Sequence, residues 1–307
     1  MKKYLVLLLI LCLALAGCGR QSAQKEHTLS VVCTIFPCYD LARAVLGGEG
    51  EISMLISPGS EVHTYDPTPS DLLKIQNADV FVMIGGESEE WVNTILSSLP
   101  GGVRVARLMD CVDALQEELG EGMEEEEESG EAEWDEHIWT SPRNMRKMLS
   151  MVTDALCEAA PEKAEVFRKN AGEYDGQLAK LDQDFSDIAA SAQRKKLVFG
   201  DRFPFLYFVR AYGLSYAAAF PGCSSASEPS VSTVAALVSA IKEEDIPVVF
   251  QLELSSGRLA RTLADETGAK VLTLHSCHNV TLDEFQSGET YVSLMQKNLQ
   301  SLTEALN

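Results

Sequence analysis

The sequence predicts an α/β fold in which two lobes, each with a parallel sheet, are joined by a single long backbone helix. Short β-rich runs alternate with helical segments over residues 29–140, and the same alternation returns over residues 195–307. Such alternation is typical of a parallel sheet with helices packed on it. Between the two units, residues 141–194 form a helical connector.

The N-terminal lobe, residues 29–140, contains the β-rich runs LSVVCTI, EISMLI, DVFVMI and VRVAR. They alternate with the helical segments PCYDLARAVLGG, TPSDLLKIQNA and EEWVNTILSSL. The C-terminal lobe, residues 195–307, contains the β-rich runs KLVFG, SYAAA, IPVVFQL and KVLTL. Its helical segments are PFLYFVRAYGL, PSVSTVAALVSAIKEE and SGRLARTLADETG.

The connector contains the long helix, which begins at Pro161, a favourable first helical residue. Apolar side chains then recur at alternating spacings of four and three, at Phe167, Ala171, Tyr174, Leu178, Leu181, Phe185 and Ile188. About 33 residues at ~1.5 Å each span roughly 50 Å, the length of a two-lobed body. A free coiled coil has the same stripe, but the flanking α/β units favour packing across both lobes.

The N-terminus predicts export. Lys2 and Lys3 precede the apolar run YLVLLLILCLALA, and LAGC follows it. This order is typical of a lipoprotein signal peptide, residues 1–17, cleaved before Cys18. The Cys18 thiol then carries the lipid, and residues 18–28 form a tether. We expect an extracytoplasmic protein anchored to the cell membrane by its lipid.

Charge and cysteine content narrow the classes of function. The net charge of −21 argues against a nucleic-acid partner, because phosphates are repelled by an acidic surface. Beyond Cys12 and Cys18, six cysteines remain, and their spacings fit no zinc ribbon or finger. Six cysteines permit fifteen disulfide pairings, among which the sequence does not choose.

A glutamate-rich stretch, EELGEGMEEEEESGEAEWDE, lies in the N-terminal lobe as an acidic loop at residues 117–136. It has too few large apolar residues to offset the entropy of ordering, so we expect a mobile loop. Two interpretations remain open: a solvated charge run without a task, or a weak collector of divalent cations.

Three histidines lie next to predicted strands or helices: two follow strands, and one precedes a helix. His63 lies in a turn-rich loop after the strand EISMLI, and His275 directly follows KVLTL. His137 lies just before the helix that Ser141 and Pro142 begin. Ligands of α/β sheets bind beyond the carboxyl ends of the strands, so we expect these side chains to lie close together.

Four segments carry a resemblance to a known family: HTYDPTPSDLLKIQNADVFVMIGGESEEW, DEHIWTSP, FLYFVRAYGL and KVLTLHS. Nearly the whole mature chain resembles the metal-binding subunits of bacterial zinc and manganese ABC importers. The resemblance implies a monomeric solute-binding protein, not an enzyme, which holds a divalent metal ion between two lobes and delivers it to an ABC permease in the membrane.

The resemblance also implies a ligand set. His63 and His137 match the two histidine ligands of the first lobe, and His275 stands where the family commonly has an aspartate. The third position, ten residues before the tyrosine of YGL, is occupied by Arg202, which cannot bind a cation. We expect the adjacent Asp201 to replace it through a one-residue shift.

The alternative is a three-histidine site completed by water, Glu253 or His278. Either set is rich in nitrogen and suits tetrahedral Zn²⁺, whereas Mn²⁺ prefers more oxygen donors. Carboxylates at Asp66, Asp135 or Glu136 are candidates to orient the ring N–H groups.

Two other classes of function remain as alternatives. A zinc hydrolase would use Glu253 or Glu228 as its base, but the sequence lacks an HExxH helix and a nucleophile elbow. A metal-dependent adhesin is compatible with an anchored acidic domain, although no segment specifies a protein partner.

Overall fold

The computed structural model describes residues 28–96, 99, 101–124, 133–224 and 228–307. The predicted signal peptide, Cys18, which is predicted to carry the lipid, and the rest of the tether up to residue 27 lie outside the described residues, as does the centre of the acidic loop. In the described part of the chain, no helix combines the length and the apolar character needed to cross a membrane.

The N-terminal lobe contains a four-stranded sheet. Its strands are β1 (Leu29–Cys33), β2 (Gly50–Met54), β3 (Val80–Met83) and β4 (Arg104–Arg107). Its helices are α1 (Phe36–Leu46), α2 (Pro69–Gln76) and α3 (Glu90–Leu96). The strands are parallel in the order β2-β1-β3-β4. All four residues of β3 are buried, as expected for a parallel strand covered on both faces.

Two helices lead to the second lobe, α4 (Pro142–Ala159) and α5 (Ala164–Ser191). The C-terminal lobe has strands β5 (Lys196–Phe203), β6 (Ser215–Pro221), β7 (Val248–Gln251) and β8 (Lys270–Thr273). Its helices are α6 (Leu206–Tyr212), α7 (Val231–Glu243), α8 (Arg258–Thr267), α9 (Leu282–Ser287) and α10 (Tyr291–Leu306). The parallel order β6-β5-β7-β8 repeats the connectivity of the first sheet. The predicted α/β fold with two lobes is confirmed.

The long helix α5 passes along both lobes. It has 28 residues, because Pro161–Lys163 form a separate 3₁₀ turn before it. It contacts α1 and α4 on one side and α6 and α10 of the C-terminal lobe. Its buried side chains belong to one core shared by both lobes: Phe167, Tyr174, Leu178, Leu181, Phe185 and Ala189.

The described flank of the acidic loop lies against the C-terminal lobe. Glu121 forms a parallel bridge with Ala217 of β6, and the Ala218 amide donates to the Glu121 carbonyl at 3.0 Å. The Glu124 carboxylate accepts hydrogen bonds from the Ser230 and Ser232 hydroxyls. The flank thus covers an edge strand of the opposite lobe, because that edge offers unpaired backbone groups.

A buried carboxylate joins three helices from different parts of the chain. Asp40 of α1 is fully buried, and it accepts hydrogen bonds from the Tyr174 hydroxyl of α5 and the Tyr291 amide of α10, the latter at 3.2 Å. Arg43 supplies the balancing charge through Nη2, 2.7 Å from Oδ1. Asp40 therefore ties the N-terminal lobe to the long helix and to the C-terminal lobe.

We expect Asp40→Ala to lower the free energy of unfolding by about 3 kcal/mol, because hydrogen bonds to a charged group are worth roughly 1.5–3 kcal/mol each. Urea unfolding of the metal-free protein measures the change. Asp184→Ala is the control, since Asp184 pairs with Lys180 on the outer face of α5. The control is expected to shift stability by at most about 1 kcal/mol; equal losses in both variants contradict the role given to Asp40.

Candidate metal centre

Three imidazoles from three loops converge in the cleft between the lobes. His63 lies between β2 and α2, His137 directly precedes the 3₁₀ turn Ile138–Thr140, and His278 follows β8. One nitrogen of each ring lies within 4.8 Å of those of the other two. The ring centroids are 4.9–5.7 Å apart. The structure thus brings two expected ligands together with His278, one of the alternatives.

His137 is oriented by a neighbouring carboxylate. Its Nδ1 lies 3.0 Å from Asp135 Oδ1, and its backbone amide donates to the same oxygen at 2.7 Å. The carboxylate therefore holds the hydrogen on Nδ1 and leaves the lone pair on Nε2. Nε2 is buried and has no hydrogen-bond partner among the described residues. A buried imidazole nitrogen in this state is suited to bind a metal ion.

The His137 ring is enclosed by close packing. A β-carbon at Gly222 would lie 2.9 Å from Cε1 of the ring, so only glycine permits this approach. On another side, the Trp139 ring lies 5.3 Å from the imidazole, between centroids. The Trp139 indole N–H donates to the Ser276 carbonyl at 2.8 Å, which joins this segment to the loop that carries His278.

The loop that carries His278 is shaped by a left-handed residue and a carboxylate. Cys277 has a φ of 59°, a backbone conformation that residues other than glycine rarely adopt. The chain reverses there, just before His278. Glu253 accepts hydrogen bonds from the Ser276 amide at 2.7 Å and from the Ser276 hydroxyl at 2.5 Å. The carboxylate of Glu253, one of the alternative ligands, is therefore engaged in holding the loop.

Hydrogen bonds across the cleft join this loop to the one that carries His63. The Asn279 amide donates to the carbonyls of Ser57 and Ser60, each at 2.9 Å. The Gly59 amide donates to the Val280 carbonyl at 2.7 Å. These contacts set the distance between the two lobes at the site.

His275 lies outside the group of three imidazoles. Its Nδ1 accepts the Cys277 amide at 2.9 Å, so that lone pair is occupied. Its Nε2 lies 3.7 Å from Glu284 Oε1. Asn298 holds its backbone on both sides, accepting from the amide and donating to the carbonyl at 2.8 Å each. The structure thus gives His275 a place in the support of the loop.

Asp201 also lies outside the group. Its carboxylate accepts hydrogen bonds from the Arg202 amide at 2.9 Å and the Leu252 amide at 3.2 Å. The pairing of β5 with β6 is irregular between Phe199 and Arg202, but this irregularity does not bring Asp201 into the group. The result is that Arg202, not Asp201, lines the histidine cleft, a cavity of about 210 Å³. There the Arg202 guanidinium lies 3.6 Å from the Glu61 carboxylate.

The pKa values of the three imidazoles shift in different directions: those of His63 and His278 are lowered, and that of His137 is raised. Burial, then His137 and Arg202, lower the pKa of His63 to about 3. Burial, then His63 and His137, hold the pKa of His278 well below its ordinary value. Burial also lowers the pKa of His137, but Asp135 and Glu136 outweigh it and the pKa is raised. At neutral pH, His63 and His278 therefore present neutral rings with a free lone pair.

Of the three carboxylates considered for ring orientation, Asp135 and Glu136 are buried and Asp66 is exposed. Glu136 Oε1 lies 3.6 Å from His63 Nδ1, so each of the two buried carboxylates faces a different histidine.

The cysteines of the described residues are all free thiols, and one of them, Cys223, lies close to His63 and Glu136 in the cleft. Burial, then the carboxylates of Glu136 and Glu117, raise the pKa of its thiol. Sequence reasoning missed Cys223, because a single cysteine in the loop after β6 has no motif around it.

Comparisons with known proteins identify the family of the chain. The family model for ZnuA, the periplasmic component A of a zinc-uptake complex, matches residues 31–305. The zinc-binding lipoprotein AdcA of Streptococcus pneumoniae is 34% identical over 309 residues, covering 99% of this chain and 61% of AdcA. The high-affinity zinc uptake system protein ZnuA of Bacillus subtilis is 31% identical over 310 residues, covering 96% of this chain and 94% of that protein. The chain thus spans about three fifths of AdcA and almost all of the Bacillus protein.

Solved structures show the same fold. The Zn(II)-bound ZnuA-like domain of Streptococcus pneumoniae AdcA superposes with a TM-score of 0.76 at 31% identity, covering 91% of this chain and 99% of that domain. The metal-dependent lipoprotein YcdH of Bacillus subtilis gives 0.78 at 29% identity, covering 91% of this chain and all of that chain. By sequence and by structure, the chain belongs to the ZnuA family of zinc-uptake components.

Proposed function

We propose that this protein captures Zn²⁺ in the cleft between its lobes and delivers it to an ABC importer. The ligands are His63, His137 and His278, and a water molecule completes the tetrahedron. The observation that carries the proposal is the convergence of three imidazole nitrogens within 4.8 Å, one of them the buried and unpartnered Nε2 of His137.

The donor chemistry favours zinc. Three imidazole nitrogens with an open fourth position suit tetrahedral Zn²⁺, whereas Mn²⁺ prefers more oxygen donors and stands lower in the affinity order. The residue at the position where the family resemblance implies a third ligand is Arg202, whose charge opposes any cation. His278 replaces His275 in the proposed ligand set because His278 lies in the three-imidazole group and His275 does not, and Asp201 is left out for the same reason.

A hydrolytic zinc enzyme is not favoured. The carboxylate of Glu253 is engaged by Ser276, and Glu228 pairs with Arg258 at an exposed position. Neither is available as a general base next to a zinc-bound water. Capture and release of the ion thus account for the site better than chemistry on a substrate.

The importer partner and the location follow from the family and from the N-terminus. Relatives are named as zinc-binding lipoproteins, and LAGC fits lipid attachment at Cys18 outside the cytoplasm. The protein acts as a monomer, and it releases its one bound ion when it docks on the membrane permease. His63 and His137 belong to the N-terminal lobe, so a small shift of the other lobe withdraws His278 and weakens the chelate.

Zinc titration of ligand variants tests the proposal. His63→Ala, His137→Ala and His278→Ala are each expected to weaken zinc affinity by at least about 100-fold, since loss even of a residue that orients a ligand costs roughly 10–100-fold. Competition with a chromophoric chelator measures the dissociation constants.

Asp201→Ala and His275→Gln are the matched controls. Neither side chain lies in the three-imidazole group, so both variants are expected to bind zinc within about 10-fold of the unaltered protein. Circular dichroism confirms that each variant is folded. Unchanged affinity in His278→Ala, together with a large loss in His275→Gln, refutes the proposed ligand set.

Proton release gives a second test. Metal binding displaces protons from ligands that carry them. At pH 6.5, which lies below the raised pKa of His137, this ring is the one of the three that carries the additional proton, whereas His63 and His278 are already neutral because their pKa values are lowered. We therefore expect about one proton released per zinc at this pH. Calorimetry in buffers of different ionisation enthalpy gives the number; a release of about three contradicts the electrostatic description.

Gly222→Ala tests the packing of the His137 ring. The new methyl group displaces the ring, because its β-carbon would lie 2.9 Å from Cε1. We expect zinc affinity to fall about 10-fold, the size of effect seen when a ligand loses its orientation. Gly172→Ala is the control, since a β-carbon there has no neighbour within 4 Å. Equal affinity of the two variants shows that the ring tolerates the displacement.

A further inference from the structure

A second group of metal-binding side chains lies beside the three histidines. His63, Glu136 and Cys223 each place one ligand atom within 4.8 Å of the other two. Glu136 is almost fully buried, and its Oε1 has no hydrogen-bond partner among the described residues. An unpaired buried carboxylate oxygen is costly, so this atom indicates a missing cationic partner.

The Glu136 carboxylate is held in place on its other side. Its Oε2 accepts the Ser88 amide at 3.1 Å, and a β-carbon at Gly86 would lie 2.1 Å from the same oxygen. Oε1, in contrast, faces His63 Nδ1 at 3.6 Å. The fixed oxygen therefore offers its free lone pairs on the side where His63 and Cys223 lie.

Carboxylates surround the Cys223 end of this group, whereas Arg202 lies near its His63 end. The carboxylates that act on Cys223 are Glu117, Glu133, Asp135 and Glu136. In the described part of the chain, no lysine or arginine forms an ion pair with any of them. The ionisable side chains that face Glu136 and Asp135 are His63 and His137, and His63 is neutral at neutral pH. The Glu117 carboxylate instead accepts the Gly222 amide at 2.9 Å. A divalent cation at this place is attracted by all four carboxylates.

We infer that His63, Glu136 and Cys223 form a second position for the transported Zn²⁺, adjacent to the three-histidine position and sharing His63 with it. The inference rests on the proposed function. The imidazole nitrogen, carboxylate oxygen and thiolate sulfur are all zinc ligands. As the Zn–S bond forms, the Cys223 thiol gives its proton to solvent.

The two positions differ in charge and in softness. Three neutral imidazoles beside Arg202 leave the charge of the ion uncompensated, whereas the carboxylate and thiolate together offset it. The sulfur also excludes hard cations such as Mg²⁺ and disfavours Mn²⁺. Because His63 serves both positions, one ion occupies them in alternation, and it stays bound in the cleft when contact with His278 is lost.

Cobalt binding by the full chain tests the second position under reducing conditions, because a thiolate bound to Co²⁺ gives a charge-transfer absorption in the near ultraviolet. In His278→Ala, we expect one Co²⁺ per chain with this absorption. Adding Cys223→Ser is expected to abolish the absorption and weaken cobalt binding further. Adding Cys111→Ser instead is the matched control and is expected to leave both unchanged, because Cys111 is also half-buried but hydrogen-bonds to the Leu108 carbonyl away from the cleft.

The outcomes separate this inference from the proposed function. Failure of the unaltered chain to bind zinc overturns the proposed function itself. Tight zinc binding by the unaltered chain, with no thiolate absorption in cobalt-loaded His278→Ala, overturns only the second position. Absorption that survives Cys223→Ser overturns the assignment of the sulfur, and two ions bound tightly at once overturn the sharing of His63.

Discussion

The hydrogen bonds of the Asn279 side chain across the cleft are the contact on which the metal centre depends. They join the loop after β8 to Ser57 and Ser60 in the loop after β2, and so fix His278 against His63. The cleft is formed by two lobes with their own sheets, and neither lobe alone supplies the three imidazoles. The side-chain amide of Asn279 stabilises this contact because both of its N–H groups donate to carbonyl oxygens, which leaves no buried donor unpaired.

Bringing three imidazoles together in a buried cleft is unfavourable without a metal ion. Each ring loses hydration, and protonation of one ring raises the cost of protonating the next. The lowered pKa of His63 reflects this cost, and Asp135 offsets part of it at His137. A bound cation would pair with the nitrogen lone pairs that have no hydrogen-bond donor in the cleft. The three imidazoles are therefore already grouped in the folded chain without an ion. The packing of the surrounding core offsets the unfavourable free energy of grouping them.

Much of this could be predicted from the sequence. The eight strands and the long helix follow from periodicity, and His63 and His137 follow from their places beside predicted elements and from the family resemblance. The sequence analysis expected His275 as a ligand and gave His278 only as an alternative that completes the site, whereas the structure groups His278 with His63 and His137. This grouping depends on the left-handed conformation of Cys277, which no residue pattern predicts. The places of Asp201 and Arg202 depend on an irregularity in β5 whose register the sequence does not fix. The contact of Glu121 with β6 was missed because a charge-rich stretch was expected to remain in solvent.

The long helix limits how the two lobes move. The helix α5 contributes to a core that continues through both lobes, and Asp40 joins α1 of one lobe to α10 of the other. Wide opening would break that core and expose a buried carboxylate, whereas separating the loops at the cleft costs a few hydrogen bonds, those of Asn279, Gly59 and the Trp139 indole. The least costly route to release is therefore local: the loop that carries His278 withdraws while the helical frame stays intact. Under the proposed function, withdrawal of this loop removes His278, the one imidazole ligand from the C-terminal lobe. His63 stays fixed on the N-terminal lobe and belongs to both positions, so the ion passes to the second position before it leaves.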